Sequence, residues 1–336
     1  MGQQKEQIIE CVPNFSVGRD EAVIREIATA IGTVNGIKLL NIDRGADANR
    51  TVFTFVGSVG AVCEAAFRSV GVASKMIDMR THHGTHPRIG ATDVMPLVPV
   101  SGITLAELVP HARALARRVG EELGVPVYCY QAAAFSPERI NLESCRQGEY
   151  EGLAAKIVDP QWMPDFGPTT FTPAVAQTGL SVIGAREYLV AVNFNLDTQD
   201  LTIAKNIARD IRAARRAGQI ESIKAIGWYV EEYGFVQVST NLTSVDRMPL
   251  HLAWRVVNHY AAQYGAQVTG TEIIGLVPRR VLMDAGHYLA DDDNLNEEQT
   301  IQLAIEKLGL STIREFDPKK RIIERVSENY IFQNNF

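Results

Sequence analysis

Three histidines stand within five positions, His82, His83 and His86, in the stretch "HHGTHPRIGA" that covers residues 82–91. Imidazole has an ordinary pKa of about 6.5, so it exchanges protons near neutrality, and it is also a common metal ligand. A metal site needs the rings to converge: His82 and His86 one helical turn apart, or three ligands meeting a carboxylate. Gly84 interrupts any helix there, Pro87 drives the backbone of His86 toward an extended conformation, and no HExxH pattern exists. No metal is expected. Two readings stay open, a polar turn whose rings only hydrogen-bond nearby backbone and a catalytic loop. His86 favours the second. The loop runs into an apolar strand at residues 93–100, and Pro87 fixes the direction of a group that must hold one geometry to act as a general base.

A carboxylate candidate lies upstream. Asp43 ends the strand-like run "KLLNID", beside the polar loop "RGADANR", and this hairpin and the histidine loop can converge at one end of the same sheet. Asp43 also suits a plain turn cap, through its short side chain. Arg50 and Arg88 can each grip a carboxylate with two parallel hydrogen bonds, with Asn49 next to Arg50, although surface ion pairing is the commoner fate of arginine.

These residues need a scaffold, and the pattern of apolar residues supplies one. "QIIECVPNF" reads as a strand, and Asp20 can cap a helix carrying Val23, Ile24, Ile27 and Ile31 at helical spacing. "IKLLNID" and "TVFTFVG" read as paired strands, residues 60–77 as a helix, "DVMPLVPV" as a strand, and "TLAELVPHARALARRVGEELG" as a long helix before the strand "VPVYCY". The second half repeats the order: strand "EYLVAVNFNL", helix "DLTIAKNIARDIRAARRAG", a hairpin of "IKAIGWYV" and "FVQVSTNL" about "EEYG", helix "PLHLAWRVVNHYAAQYG" and strand "VTGTEIIGLV". Each half therefore reads as split β-α-β, and the class is α+β, two ferredoxin-like (βαββαβ) subdomains in tandem. The boundary is placed at 180/181, giving subdomains 1–180 and 181–330, with helical material at 297–330 outside the repeat. Pro160, Pro164, Pro168 and Pro173 exclude a helix or central strand running through residues 159–179, which reads as a linker or binding loop.

Composition narrows the function. With 336 residues, 46% hydrophobic and 21% charged, the chain can bury a sizeable core. No run approaches membrane-spanning length, the N-terminus lacks signal-peptide regions, and four scattered cysteines suit a reducing compartment, so a cytoplasmic enzyme without membrane attachment is expected. A net charge of −6 gives no support to nucleic-acid binding, and the stripe Lys205, Arg209, Arg212, Arg216 reads as a solvated helix face. Neither GxGxxG nor GxxxxGK[ST] stands at a strand-to-helix turn, so no nucleotide is expected.

"ECVPNFSVGRD", "NRTVFTFVG", "HPRIGATDVMPLVPV", "GEYEGL", "PDFGP", "AIGWYVEE", "QVSTNL" and "GLVP" together resemble the glutamate formimidoyltransferase (glutamate formiminotransferase) family, in order from residue 9 to about residue 326. The resemblance implies a homodimer that moves the formimidoyl group of N-formimidoyl-L-glutamate to N5 of tetrahydrofolate, a co-substrate, in histidine degradation. It implies catalysis by the histidine of the "HPR" motif, His86, with Asp43. It also implies a folate-binding stretch at Gly167, Pro168, Thr169, Thr170, Phe171, Thr172, Pro173, Ala174, Val175 and Ala176. Arg50, Arg88 and Asn49 are then candidates for substrate carboxylates. Thr85 departs from the family pattern, where an acidic residue precedes the histidine, and a monofunctional enzyme without a cyclodeaminase portion is expected. The alternatives are formyl transfer involving N-formylglutamate, which Asp43 disfavours by repelling a developing oxyanion, and a non-catalytic folate-binding module.

Overall fold

The computed structural model describes residues 7–290 and 294–326, and the chain forms two compact units, Met1–Glu187 and Tyr188–Phe336. In the first unit, β1 (Ile8–Cys11) and β2 (Asn14–Phe15) together form one interrupted central strand. Helix α1 (Glu21–Gly32) follows, its N-terminus capped by the Asp20 side chain, which accepts from the Ala22 and Val23 amides. Next come β3 (Lys38–Gly45), β4 (Arg50–Ser58), α2 (Val59–Met76) and β5 (Thr92–Ser101). Helix α3 (Leu105–Leu123) starts in a capping box between Thr104 and Glu107 and stops at the left-handed Gly124.

This much is the expected split β-α-β, with β3, β4, β1/β2 and β5 side by side and antiparallel. The sheet then continues. β6 (Val127–Gln131) and β7 (Ser181–Ala185) extend it in the order β5-β7-β6, with both new pairings parallel. The expected boundary at 180/181 therefore falls in front of a strand that belongs to the first unit, and the division lies after Glu187. Three short helices precede β7: α4 (Leu142–Arg146), α5 (Leu153–Lys156) and α6 (Pro173–Thr178). Pro173 does not prevent α6, because proline is tolerated in the first turn, where its missing N–H has no helical partner.

Alternation along the strands builds two cores. Ile9, Cys11, Phe15, Phe53, Phe55, Met95 and Leu97 face α1–α3, with Phe15 and Phe53 edge to face at 5.5 Å. On the opposite face of the parallel region, Val94, Tyr128, Tyr130 and Val182 are covered by Cys145, Leu153, Ile157 and Val175 from the short helices. The face of β3, β4 and β2 opposite α1 and α2 carries polar groups instead.

The second unit follows the sequence reading more closely. It contains β8 (Val190–Leu196), α7 (Leu201–Arg216), β9 (Ile223–Val230), β10 (Phe235–Leu242), α8 (Leu250–Gln263) and β11 (Val268–Ile274), in the antiparallel order β11-β8-β10-β9. Beyond the repeat lie α9 (Arg279–Leu289), α10 (Glu297–Leu308) and α11 (Pro318–Arg321); residues 327–330 of the expected C-terminal helical material lie outside the described residues. No helix among the described residues is long and apolar enough to cross a membrane.

Candidate functional site

The histidine loop is seated on the tip of the β3–β4 hairpin. A Cβ on Gly84 would lie 2.2 Å from the carbonyl oxygen of Ala48, so only glycine permits this approach. The Thr85 amide donates to the Asp47 carbonyl at 3.1 Å, and the Asn49 side chain donates to the His83 carbonyl at 3.0 Å. Asn49 itself adopts φ 45° and accepts from the Gly18 amide at 2.9 Å, so both ends of its amide hold backbone.

That seat gives the three histidines different work. His82 is buried between the Asn49 carbonyl, 2.8 Å from Nε2, and Arg88, whose Nε donates to Nδ1 at 3.3 Å. Both nitrogens are engaged, and burial lowers its pKa below the usual imidazole value. It is a neutral structural bridge. His83 is exposed. His86 places Nδ1 2.7 Å from the carbonyl oxygen of Pro87. A carbonyl only accepts, so Nδ1 bears the proton and Nε2 carries the lone pair. Burial first, then the positive charges of Arg50 and Arg146, hold the His86 pKa well below the usual value, against the opposing pull of Asp93 and the Pro87 carbonyl. The ring is a neutral base of defined tautomer.

The charged groups around His86 form one cluster. Asp93, fully buried at the start of β5, is ion-paired with both Arg50 and Arg146, and its Oδ1 accepts from the Ile89 amide at 3.0 Å. Arg146 grips it with two nitrogens, Nε standing 3.2 Å from Oδ1. Arg50 donates from Nε to the Asn14 side chain at 3.0 Å. Burial alone would raise the Asp93 carboxyl, but Arg146 and Arg50 outweigh it and hold the group well below the usual carboxylate range. Burial also lowers the Arg50 guanidinium to about 10, which leaves it charged at neutrality. Arg146 is the last residue of α4, and the Lys156 ammonium closes that helix end by donating to the carbonyls of Ser144, Cys145 and Gln147 at 2.9, 2.8 and 3.0 Å. Among the described residues no three His, Cys, Asp or Glu side chains converge as a metal site.

The remaining sequence candidates separate. Asp43 is half-buried on β3, opposite Val52, which is itself opposite Asn14; Asp43, Asn14 and Arg50 thus share the sheet face away from the helices. The carboxylate paired with Arg50, however, is Asp93. Arg88 is buried with every guanidinium nitrogen in use: Nη1 and Nη2 donate to Glu151 at 2.7 and 2.6 Å, Nη2 to the His82 carbonyl, and Nε to His82. It forms part of the wall of an open cleft of about 400 Å³ with His83, Gly84, Gly148, Glu149 and Glu151. Its two carboxylate partners leave it no edge for a substrate carboxylate.

Residues 167–176 begin at a packing contact. Gly167 has φ 84°, and a Cβ there would lie 2.7 Å from the Val125 carbonyl oxygen and 3.1 Å from the Cα of Gly120 in α3. The glycine is required by the chain itself. Thr169, Thr170, Thr172, Pro173 and Ala174 are exposed, while Val175 is buried. The residues just after the segment cross the far end of the histidine loop: Ala91 donates to the Thr178 carbonyl at 2.7 Å and Leu180 to the Ile89 carbonyl at 3.1 Å. The crossing needs glycine on both chains, since a Cβ on Gly179 would meet the Ile89 oxygen at 2.4 Å and one on Gly90 the Leu180 oxygen at 2.3 Å. Histidine loop and proline-rich segment are thus neighbours in one unit.

Sequence reasoning missed Asp93, Arg146 and Lys156. Asp93 did leave a trace, a lone acid at the head of the apolar run "DVMPLVPV", which must find a cation if it is buried. Arg146 and Lys156 gave no local signal.

A family model described as the formiminotransferase domain, N-terminal subdomain, matches residues 8–186, and one described as the formiminotransferase domain matches residues 191–328. The chain is 43% identical over 324 residues to the formimidoyltransferase-cyclodeaminase of Rattus norvegicus, which covers 95% of this chain and 59% of that protein. It is 39% identical over 295 residues to the glutamate formimidoyltransferase of Streptococcus pyogenes serotype M1, covering 88% of this chain and 97% of that one. For the glutamate formimidoyltransferase of Thermoplasma acidophilum the identity is 39% over 302 residues, covering 89% and 98%. The chain thus spans 59% of the length of the bifunctional rat relative.

Proposed function

This chain belongs to the formiminotransferase family, and from that premise we propose that it transfers the formimidoyl group of N-formimidoyl-L-glutamate to N5 of tetrahydrofolate. The products are 5-formimidoyltetrahydrofolate and L-glutamate. The observation that carries the reading is the fixed tautomer of His86, with Nδ1 held by the Pro87 carbonyl and Nε2 left basic. N5 attacks the amidinium carbon and forms the new C–N bond, and its proton passes to Nε2. The imidazolium then delivers that proton to the glutamate nitrogen as the old C–N bond breaks, so one ring serves as base and then as acid. Asp43 is assigned the amidinium, whose N–H groups donate to a carboxylate. Tetrahydrofolate is assigned to Gly167 through Ala176, with Phe171 offering a flat apolar face; the hydrogen bonds between Ile89–Ala91 and Thr178–Leu180 support placing the two substrates side by side. The homodimer belongs to the same proposal and rests on the family resemblance.

An amidinium is already an activated electrophile, and the proposed route uses no metal and no nucleotide. The test is turnover of purified protein with tetrahydrofolate and either N-formimidoyl- or N-formylglutamate. Transfer from the first is expected, and His86→Ala should lower kcat roughly 10²- to 10⁴-fold while folate binding persists. Near-normal turnover in that variant, or transfer from N-formylglutamate alone, would sink the assignment.

A further inference from the structure

Two guanidinium groups share one carboxylate beside His86, which leaves the cluster one positive charge in excess. The excess is poorly solvated: Asp93 is fully buried, Arg50 is 8% exposed and the Arg146 side chain 14% exposed. A buried charge without a partner is costly, and an anion seated against it removes the cost. The donors for such an anion are present. Arg50 spends Nε on Asn14 and Nη1 on Asp93, and Arg146 spends Nε and Nη2 on Asp93, so that Arg50 Nη2 and Arg146 Nη1 have no acceptor among the described residues.

We propose that Arg50 and Arg146, aimed by their common Asp93, form the receptor for the α-carboxylate of the amidine donor, and that Arg146 sets the preference for an amino-acid donor over an amine lacking that carboxylate. This rests on the formimidoyl-transfer reading above. The stereochemistry of the donor supports it. The nitrogen that leaves is bonded to the same carbon as the α-carboxylate, so whatever group hands that nitrogen its proton must have the carboxylate close by. His86 is the proton donor in the proposed reaction, and Asp93, the carboxylate that Arg50 and Arg146 share, holds the Ile89 amide three residues further along the same loop at 3.0 Å. Arg88, the other buried arginine of the loop, already holds Glu149 and Glu151 and cannot serve. The bound carboxylate does a second job, since it offsets the repulsion of Arg50 and Arg146 and strengthens His86 as a base when the donor is in place.

The test compares two donors that differ only in that group, N-formimidoyl-L-glutamate and 4-(formimidoylamino)butyrate, with wild-type protein and with Arg146→Gln. Wild type should prefer the first by about 10- to 100-fold in kcat/KM, the usual weight of hydrogen bonds to a charged group. In Arg146→Gln the preference should collapse toward parity, with the loss falling on the glutamate donor. Arg146→Lys, which keeps the charge without the two-pronged grip on Asp93, should lie between and serves if the glutamine variant does not fold. Equal use of both donors by wild type overturns the proposal, as does a folded Arg146→Gln that keeps the wild-type preference. Transfer from neither donor by wild type overturns the underlying function and this proposal with it.

Discussion

Replacing Asp93 by Asn keeps the shape of the side chain and removes the one negative charge between Arg50 and Arg146. The amide oxygen can still accept from the Ile89 amide, which now donates at 3.0 Å, but two guanidiniums lose their counter-ion in a site where Asp93 has no exposed surface. Breaking a buried pair in this way costs about 3–5 kcal/mol, because the remaining charge stays buried without compensation. The effect has a pH signature. Asp93 has a folded pKa below its unfolded value near 3.9, so its contribution is complete above that value and shrinks as pH falls toward the folded pKa. By linkage, the deficit of Asp93→Asn relative to wild type should narrow by about 1 kcal/mol between pH 7 and about pH 3.3. Urea titration read by hydrogen-exchange protection of β5 measures the first unit by itself. A variant within 1 kcal/mol of wild type at pH 7, or a deficit that widens on acidification, would refute the account of the cluster.

The other histidines should behave differently from His86. His82→Ala should cost about 1–3 kcal/mol of stability, through the lost bridge between Asn49 and Arg88, with turnover per folded molecule little changed, whereas exposed His83→Ala should stay within about 0.5 kcal/mol. Because the base form of His86 is favoured by burial and by two arginines, kcat/KM should hold as pH falls and decline only below the ordinary imidazole value of about 6.5. If the donor carboxylate recharges the site, the acid limb of kcat lies at higher pH than that of kcat/KM; an acid limb of kcat/KM above pH 7 would contradict the geometry. Gly167→Ala should destabilise the first unit by more than 1 kcal/mol, since φ is 84° and the new Cβ meets the Val125 carbonyl, and calorimetry should show the loss with no ligand present.

Much of the fold was legible because it is local. Periodicity placed α1, α2, α3, α7 and α8, and the short hairpin loops fixed β3 with β4 and β9 with β10. What escaped is non-local. β7 falls on the second-half side of the expected boundary at 180/181, because its partners, β5 and β6, are parallel to it and far back in the chain, where no turn residues announce the pairing. Helices α4–α6 are too short for an apolar stripe to repeat. At the candidate site, the sequence offers His86 through Pro87, and Arg50 as one of two arginines able to grip a carboxylate with two hydrogen bonds. Asp43 stands out in the sequence because it ends a strand beside a polar loop, while Asp93 stands at the head of an apolar run and draws no notice. A carboxylate that organises two arginines from separate elements has no spacing rule.

The strand order β5-β7-β6 also bears on how the chain is made. Among the described residues β6 has one strand beside it in the sheet, β7, which follows it roughly fifty residues later. At ordinary rates of synthesis the interval is about 3 to 10 s. Within it β6 gains, by way of strand pairing, only the isolated backbone bridge between Val127 and Phe166, and β5 presents an open edge on the side β7 will fill. The residues made in that interval are those of α4, α5, the proline-rich stretch and α6, which supply the cover for the exposed face. A ribosome pausing before Ser181 would hold a nascent chain whose Asp93 and Arg146 are both present but whose sheet is still open between β5 and β6. The few residues of β7 close it, so completion of the first unit, and of the ground under His86, waits on one of the last short segments of that unit to be synthesised.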